Sequence, residues 1–393
     1  MTSAAVAAQT RHLSAKFLCP VWHHPGIGVF MVFVLACWQR WSMPGLPLAD
    51  PDTWGYLNPA LQHLAGNGMP QTACRSIAYP LFLWAVLGVS GDFHSIAFVQ
   101  HLLGLLSGVV WILAFRIWLG FLPAETWLRS FSGWCAAVCL ALYLCNPATL
   151  AFESQIRPEG VFPLFGLSQI TTTLIFIRIH RTQPGSSACI LSAAVSALLA
   201  AVCLSLKPSW GLAALVPLAV IAASIFSFGK HLSLPGRVGP ALAALVALVF
   251  WNLAVPRWVG WAADPTCGSH LAGTLFTVHA DIISREMHSR AARGDLDVAE
   301  ADFLKKLDER IEESRQLTKS AYKILGHDPD YLLFASDALW TLPNLSANDF
   351  AKRNAYLRQA YLRSVVNEPF LMLRKIMRQM AAAFGDASKS VFS

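Results

Sequence analysis

The chain has 393 residues, of which 55% are hydrophobic and only 13% charged, with a net charge of +7 and a mean hydropathy of +0.48. Soluble proteins carry about 25% charged residues, so an ordinary soluble enzyme is excluded and an all-α polytopic membrane protein is expected. The surplus of arginine and lysine is not a nucleic-acid surface, because no basic run interleaved with aromatics occurs; it fits cytoplasmic loops.

Residues 1–25 read as a cytoplasmic N-terminal segment with no small-residue cleavage site, so the first apolar run is expected as a retained anchor. A bilayer crossing needs about 20 apolar residues. By that measure the spans are 26–42, 94–118, 131–150, 159–179, 186–206, 209–228 and 236–256, a seven-span module over 26–261. The apolar stretch 79–90 is too short to cross and reads as a re-entrant or surface-lying helix. In the outer loop 43–93, the leucines at 57, 61 and 64 have helical spacing and the glycines at 66 and 68 end the run, which predicts a juxtamembrane helix over 53–65. Residues 262–370 hold most of the charge and are expected as an extracytoplasmic soluble helical domain, with a strongly helical stretch at 297–325. A basic amphipathic C-terminal tail, 371–393, follows.

Lysine and arginine set the orientation. With the N-terminus inside, Arg11, Lys16, Arg116, Arg129, Arg178, Arg181, Lys230 and Arg237 fall in inner segments, against Arg40, Arg75, Arg157 and Lys207 outside. The expected topology is multi-pass, with the N-terminus cytoplasmic and the C-terminal domain on the outer side. Cys74 and Cys267 then share the outer side, where a disulfide between them is allowed; the cysteines at 37, 135, 139, 145, 189 and 203 read as small hydrophobes.

Only six acidic side chains occur in the first 261 residues: Asp50, Asp52, Asp92, Glu125, Glu153 and Glu159. A charge beside a bilayer is costly unless paired or hydrated. The topology puts all but Glu125 on the outer side, so they read as a site. Asp52 or Asp50 would take a proton from a hydroxyl nucleophile. Arg75, Arg157 and Lys207 would hold an anionic leaving group by charge-assisted bonds. Glu153 and Glu159 would orient those cations or a sugar hydroxyl. Each has a plainer reading: a solvated turn for the aspartates, a helix N-terminal charge for the glutamates, and head-group anchoring for the cations. Arg40 closes the first span and reads as an anchor, while His94 and His101, seven apart, suit one helix face.

A retained first span, a long outer loop with Asp50-Pro-Asp-Thr-Trp-Gly-Tyr56, then Arg75-Ser-Ile-Ala-Tyr-Pro-Leu-Phe-Leu and Pro158-Glu-Gly-Val-Phe162 come in sequence. Their order and sidedness resemble the GT-C glycosyltransferases of the protein mannosyltransferase and aminoarabinose transferase kind. The likeness covers roughly 26–260. It implies a bacterial inner membrane with the C-terminal domain periplasmic, and transfer of a sugar from a polyprenyl-phosphate donor to a lipid, glycan or protein acceptor at its outer face, with Asp52 as first choice for the base and Asp50 second. It further implies that Arg75 with Tyr79 sits at a donor-phosphate contact and that Glu159 is the second-loop acid. The reading of the residues themselves adds Arg157 and Lys207 at the phosphate and Tyr56 and Glu153 as substrate contacts, with interfacial-belt aromatics the plainer reading of both tyrosines. No metal ligand and no cofactor is called for, although a divalent cation stays compatible with the pattern. Many members of that family continue through further spans after the outer domain, whereas this chain stops after 371–383, which fits either a C-terminally short member or a truncated one. The alternatives are a lipid-linked substrate transporter or flippase, and a non-catalytic membrane protein.

Overall fold

The computed structural model describes residues 25–122, 126–226, 234–263, 271–317, 325–335 and 350–384. The expected N-terminal segment therefore lies almost wholly outside the described residues, as do Cys267, residues 318–324 of the expected helical stretch and the end of the tail. The chain forms two compact units, Met1–Ala263 and Asp264–Ser393.

The first unit is almost entirely helical. In chain order it contains α1 (Pro25–Trp41), α2 (Thr53–Leu64), α3 (Ala78–Ser90), α4 (His94–Leu119), α5 (Thr126–Leu144), α6 (Pro147–Glu153), α7 (Phe162–Thr182), α8 (Ser187–Leu206), α9 (Gly211–Ile225), α10 (Leu234–Val249) and α11 (Val255–Trp258). Four stretches among the described residues are long and apolar enough to cross a membrane: His94–Leu119, Phe162–Thr182, Ser187–Leu206 and Val238–Trp258. Phe131–Leu144 and Pro147–Glu153 make a further apolar pair, bent by 50°. The shorter helices Gly26–Trp41, Ala78–Ser90 and Gly211–Ser224 are also apolar. This is an all-α architecture with the composition of a membrane protein.

Local chemistry explains the breaks. Asn146 caps α6, its Oδ1 accepting from the Ala148 N–H at 2.9 Å, and Pro147 follows at the first helical position, where no N–H is needed. That cap produces the bend between α5 and α6. Ser186 caps α8 in the same way. Between α10 and α11, residues Phe250–Ala254 form a π-turn. Pro256 lacks the N–H that would bond back one turn, and the widened turn absorbs the missing ladder bond.

Small residues bring α8 close to α7 and α10: Ala193, Ser196, Ala197, Ala200 and Ala201 are all buried. Thr173 and Ser196 share a hydroxyl hydrogen bond of 2.8 Å between α7 and α8. Two short backbone ties hold the loops at the site end. Leu48 pairs with the second loop, its N–H donating to the Ser154 carbonyl and its carbonyl accepting from Ile156. The strand β1 (Met69–Pro70) runs parallel to β2 (Trp261–Ala262). The first loop is thereby fastened to the α6–α7 turn and to the chain beyond α11.

The second unit packs α12 (Leu271–Val278), α13 (Ala280–Ala292), α14 (Val298–Leu317) and α15 (Phe350–Asn367) around Phe276, Ile283, Met287, Phe303, Leu307 and Leu357, and α16 (Pro369–Phe384) follows outside that core. Charged pairs one turn apart, Arg310–Glu313 and Arg315–Glu312, lie on the exposed face of α14.

Candidate functional site

The aspartates stand on the turn that starts α2. Asp50 accepts from the Asp52 N–H at 2.7 Å and from the Thr53 hydroxyl, so the loop is locked by its own side chain. Asp52 is the N-cap residue of α2, yet its carboxylate makes no capping bond. It turns instead to Arg75, whose Nη2 donates to it.

Arg75 is aimed by its backbone. Ala73 and Cys74 both adopt the left-handed region, at φ 48° and 56°, which side-chain-bearing residues rarely occupy. The turn carries the guanidinium across α2 at Gly55. A methyl group at Gly55 would lie 2.9 Å from the Arg75 side chain, so only glycine admits it. The guanidinium also sits 5.3 Å from the centre of the Tyr56 ring.

The α6–α7 turn delivers the remaining groups. Arg157 Nε lies 2.8 Å from Asp50, 3.6 Å from Glu159, and its Nη2 4.0 Å from Asp52. The approach to Asp50 is off the N–H axis. It is an ion pair without a hydrogen bond, and both atoms keep unused bonding capacity. Lys207, at the end of α8, donates to Glu159 at 2.5 Å. Three carboxylates and three cations from four separate segments thus form one chain of pairs: Arg75–Asp52, Arg157 between both aspartates and Glu159, and Glu159–Lys207. Asp52 is the most open carboxylate at 36% exposure, against 11% for Asp50.

Burial raises the Glu159 carboxyl, but the hydrogen bond and charge of Lys207, with Arg157, outweigh it and leave it below its ordinary value. Burial pushes the Tyr56 phenol up to about 12, with Arg75 pulling the other way. Tyr56 is therefore a neutral O–H donor at every physiological pH, never a base.

Two expected site residues stand elsewhere. Tyr79 is 1% exposed, and its hydroxyl donates to Gln100 Oε1 at 2.8 Å; its ring meets Tyr56 edge-on. It props up the site without reaching it. Glu153 is 2% exposed and faces inward, accepting from Arg40 at 2.7 and 2.8 Å, with His101 Nδ1 at 2.9 Å. Arg40, expected as a head-group anchor, is likewise buried, and it also donates to the Ala36 and Leu144 carbonyls. Gly104 makes room for this pair, since a methyl there would lie 2.0 Å from Glu153.

Gln100 escaped the sequence reading. Its amide donates to the Glu153 and Gln155 carbonyls at 2.8 Å, fixing the α6–α7 turn from inside, and Gly160 lies against it. An uncharged amide in an otherwise apolar span was the available signal.

An apolar groove of about 620 Å³ between α8 and α10 is lined by Ile190, Ala194, Leu198, Leu242, Val246 and Phe250. It lies toward the end of α8 away from Lys207, brings no polar chemistry and is not part of the charged cluster. Among the described residues, no group of three or more His, Cys, Asp or Glu side chains gathers as a metal site. In comparisons with known proteins, no family model, no curated protein and no solved structure matches the chain.

Proposed function

We propose that the protein is a membrane glycosyltransferase that moves a sugar from a polyprenyl-phosphate donor to a hydroxyl acceptor at the outer face of a bacterial inner membrane. The observation that carries this reading is the neutral cluster itself: a half-open carboxylate, Asp52, held beside two cations, Arg75 and Arg157, with Lys207 joined to them through Glu159, so that an anionic group can exchange partners with the carboxylates. Arg75 Nε and Arg157 Nε both keep a donor without an aligned acceptor. A phosphate entering the cluster takes up these donors and displaces carboxylate from arginine, which frees Asp52 as it loads the donor.

In the proposed step, Asp52 removes the acceptor O–H proton as the oxygen attacks the anomeric carbon. The bond from that carbon to the phosphate oxygen breaks, and the electron pair leaves with the polyprenyl phosphate. Arg75, Arg157 and Lys207 stabilise the charge that grows on the leaving phosphate, where fixed charges are worth most. Glu159 holds Lys207 and Arg157 in place. Tyr56 donates from its neutral phenol to a sugar or phosphate oxygen.

The orientation rests on the lysine and arginine distribution and gains support from Cys74, which is disulfide-bonded, as suits an oxidising compartment. Seven crossings follow if the bent α5–α6 pair and the shorter α1 and α9 also span. The test is to supply the purified protein, in vesicles, with polyprenyl-phosphate monosaccharides and measure free polyprenyl phosphate. Arg75→Ala should weaken donor binding by about 1.5–3 kcal/mol, the worth of a charged hydrogen bond. Donor affinity unchanged in Arg75→Ala, Arg157→Ala and Lys207→Ala alike would remove the phosphate clamp.

A further inference from the structure

The second unit ends in a pair of helices whose surface chemistry is not that of a solvated domain. Residues 350–384 contain seven basic side chains and a single acid, Glu368. Along α15 and α16, Leu362, Val366, Phe370, Leu373 and Met377 follow one another at steps of four, four, three and four residues, and all are exposed. Phe370 is 85% exposed, and Leu373 and Met377 are above half. Helical spacing places Leu362 and Val366 on one face of α15, and Phe370, Leu373 and Met377 on one face of α16, where Met372 lies on the opposite side, buried in the unit. A monomeric soluble surface rarely leaves so continuous an apolar stripe open to water.

Beside the stripe runs a second one. Arg374 and Arg378 follow Phe370 and Leu373 round the helix, and with Asp281, Arg285 and Lys375 they line a pocket of about 240 Å³. Lys375 is nearly buried at its floor and donates to Asp281, so that acid is already spent on a cation. Arg285 reaches Glu368 only at 3.7 Å. The rim is thus cationic and lies directly next to the apolar stripe, the order of groups in a phospholipid interface: acyl chain, then phosphate.

We infer that α16 docks the second unit onto an anionic phospholipid surface, with Phe370, Leu373 and Met377 entering the acyl boundary and Arg285, Arg374 and Arg378 holding lipid phosphates. Two features select a bilayer as the occupant. The positive rim complements anionic head groups, and the same chain carries helices built to cross a membrane, which keeps a lipid surface at high local concentration. The inference is independent of glycosyl transfer and stands or falls without it.

The test uses the full chain in nanodiscs of phosphatidylcholine alone or an equal mixture with phosphatidylglycerol. The photo-crosslinking residue p-benzoylphenylalanine replaces Leu373 or, as a control, the exposed Val298 of α14. Mass spectrometry after irradiation should find lipid adducts at 373, absent at 298 and about tenfold more abundant in the phosphatidylglycerol discs. Arg374→Glu with Arg378→Glu should abolish that enrichment, and the milder Arg374→Gln with Arg378→Gln should reduce it while leaving thermal unfolding of the protein unchanged. Adducts to polypeptide, no lipid adduct above the level at 298, or equal yield in both lipid compositions would each overturn the inference.

Discussion

Removing the Glu153 carboxylate tests how the first unit is held together beneath the site. The side chain is 2% exposed and its partner Arg40 is 4% exposed, so neither charge is shared with water. Glu153→Ala deletes two charged hydrogen bonds of 2.7 and 2.8 Å and the His101 contact, while Arg40 keeps only the Ala36 and Leu144 carbonyls. An uncompensated buried guanidinium costs about 3–5 kcal/mol. That corresponds to roughly a hundred- to several-thousand-fold loss in the folded-to-unfolded ratio. The assay is unfolding by titration with dodecyl sulfate, followed by circular dichroism. The double variant Arg40→Met, Glu153→Met should recover to within about 1 kcal/mol of the parent, because replacing a buried pair with apolar groups is often neutral. A Glu153→Ala protein as stable as the parent would refute the reasoning. It would mean that water or lipid head groups reach the pair.

Gly104→Ala should destabilise by about 1–3 kcal/mol, because its methyl would lie 2.0 Å from Glu153, and much of that loss should vanish when Glu153 is also alanine, as a double-mutant cycle would measure. The depressed carboxyl of Glu159 stabilises the fold above its ordinary value of 4.5, and that contribution disappears as pH falls through the folded value. In Lys207→Met that depression is largely removed, so stability should be lower at neutral pH and the acid-side loss attributable to Glu159 should shrink; a pH dependence of stability identical to the parent's would contradict the assigned pairing. For the proposed orientation, a cysteine placed at Leu46 should be labelled from outside the cell and one at Gln183 only from inside; the reverse pattern would separate the acids from the outer face.

The apolar helices were legible because span length and apolar composition are properties of a local stretch. The predicted 53–65 helix appears as Thr53–Leu64, ended where Gly66 turns to φ 82°, for the same reason. What the sequence could not separate was Glu153 from Glu159. Both sit in one short loop and both are acids near a span, but the Asn146–Pro147 cap bends α6 so that Glu153 ends inside the bundle while Glu159 lies beyond the turn. The partner of Glu153 is 113 residues away, and no local pattern announces it. Arg40 was misread on the same ground: a cation at a span end resembles an anchor until the opposing carboxylate is seen. The grouping of Asp50, Asp52, Arg75, Arg157, Glu159 and Lys207 was expected from sidedness alone. Their pairing depended on the strained turn at Ala73–Cys74 and on the space at Gly55, neither of which has a sequence signature of its own.

The central claim is that Asp52 is the base of a sugar transfer. Its most direct test is the transfer rate of Asp52→Asn, measured with a labelled polyprenyl-phosphate sugar at saturating donor and normalised to folded protein. The amide keeps the side-chain volume but cannot accept the acceptor's proton. The rate should fall by a factor of about 10²–10⁴ while donor affinity stays within a few fold of the parent. Asp50→Asn, whose carboxylate is mostly enclosed by Thr53, the Asp52 N–H and Arg157, should lose far less. Full transfer by the double variant Asp50→Asn, Asp52→Asn would contradict the account.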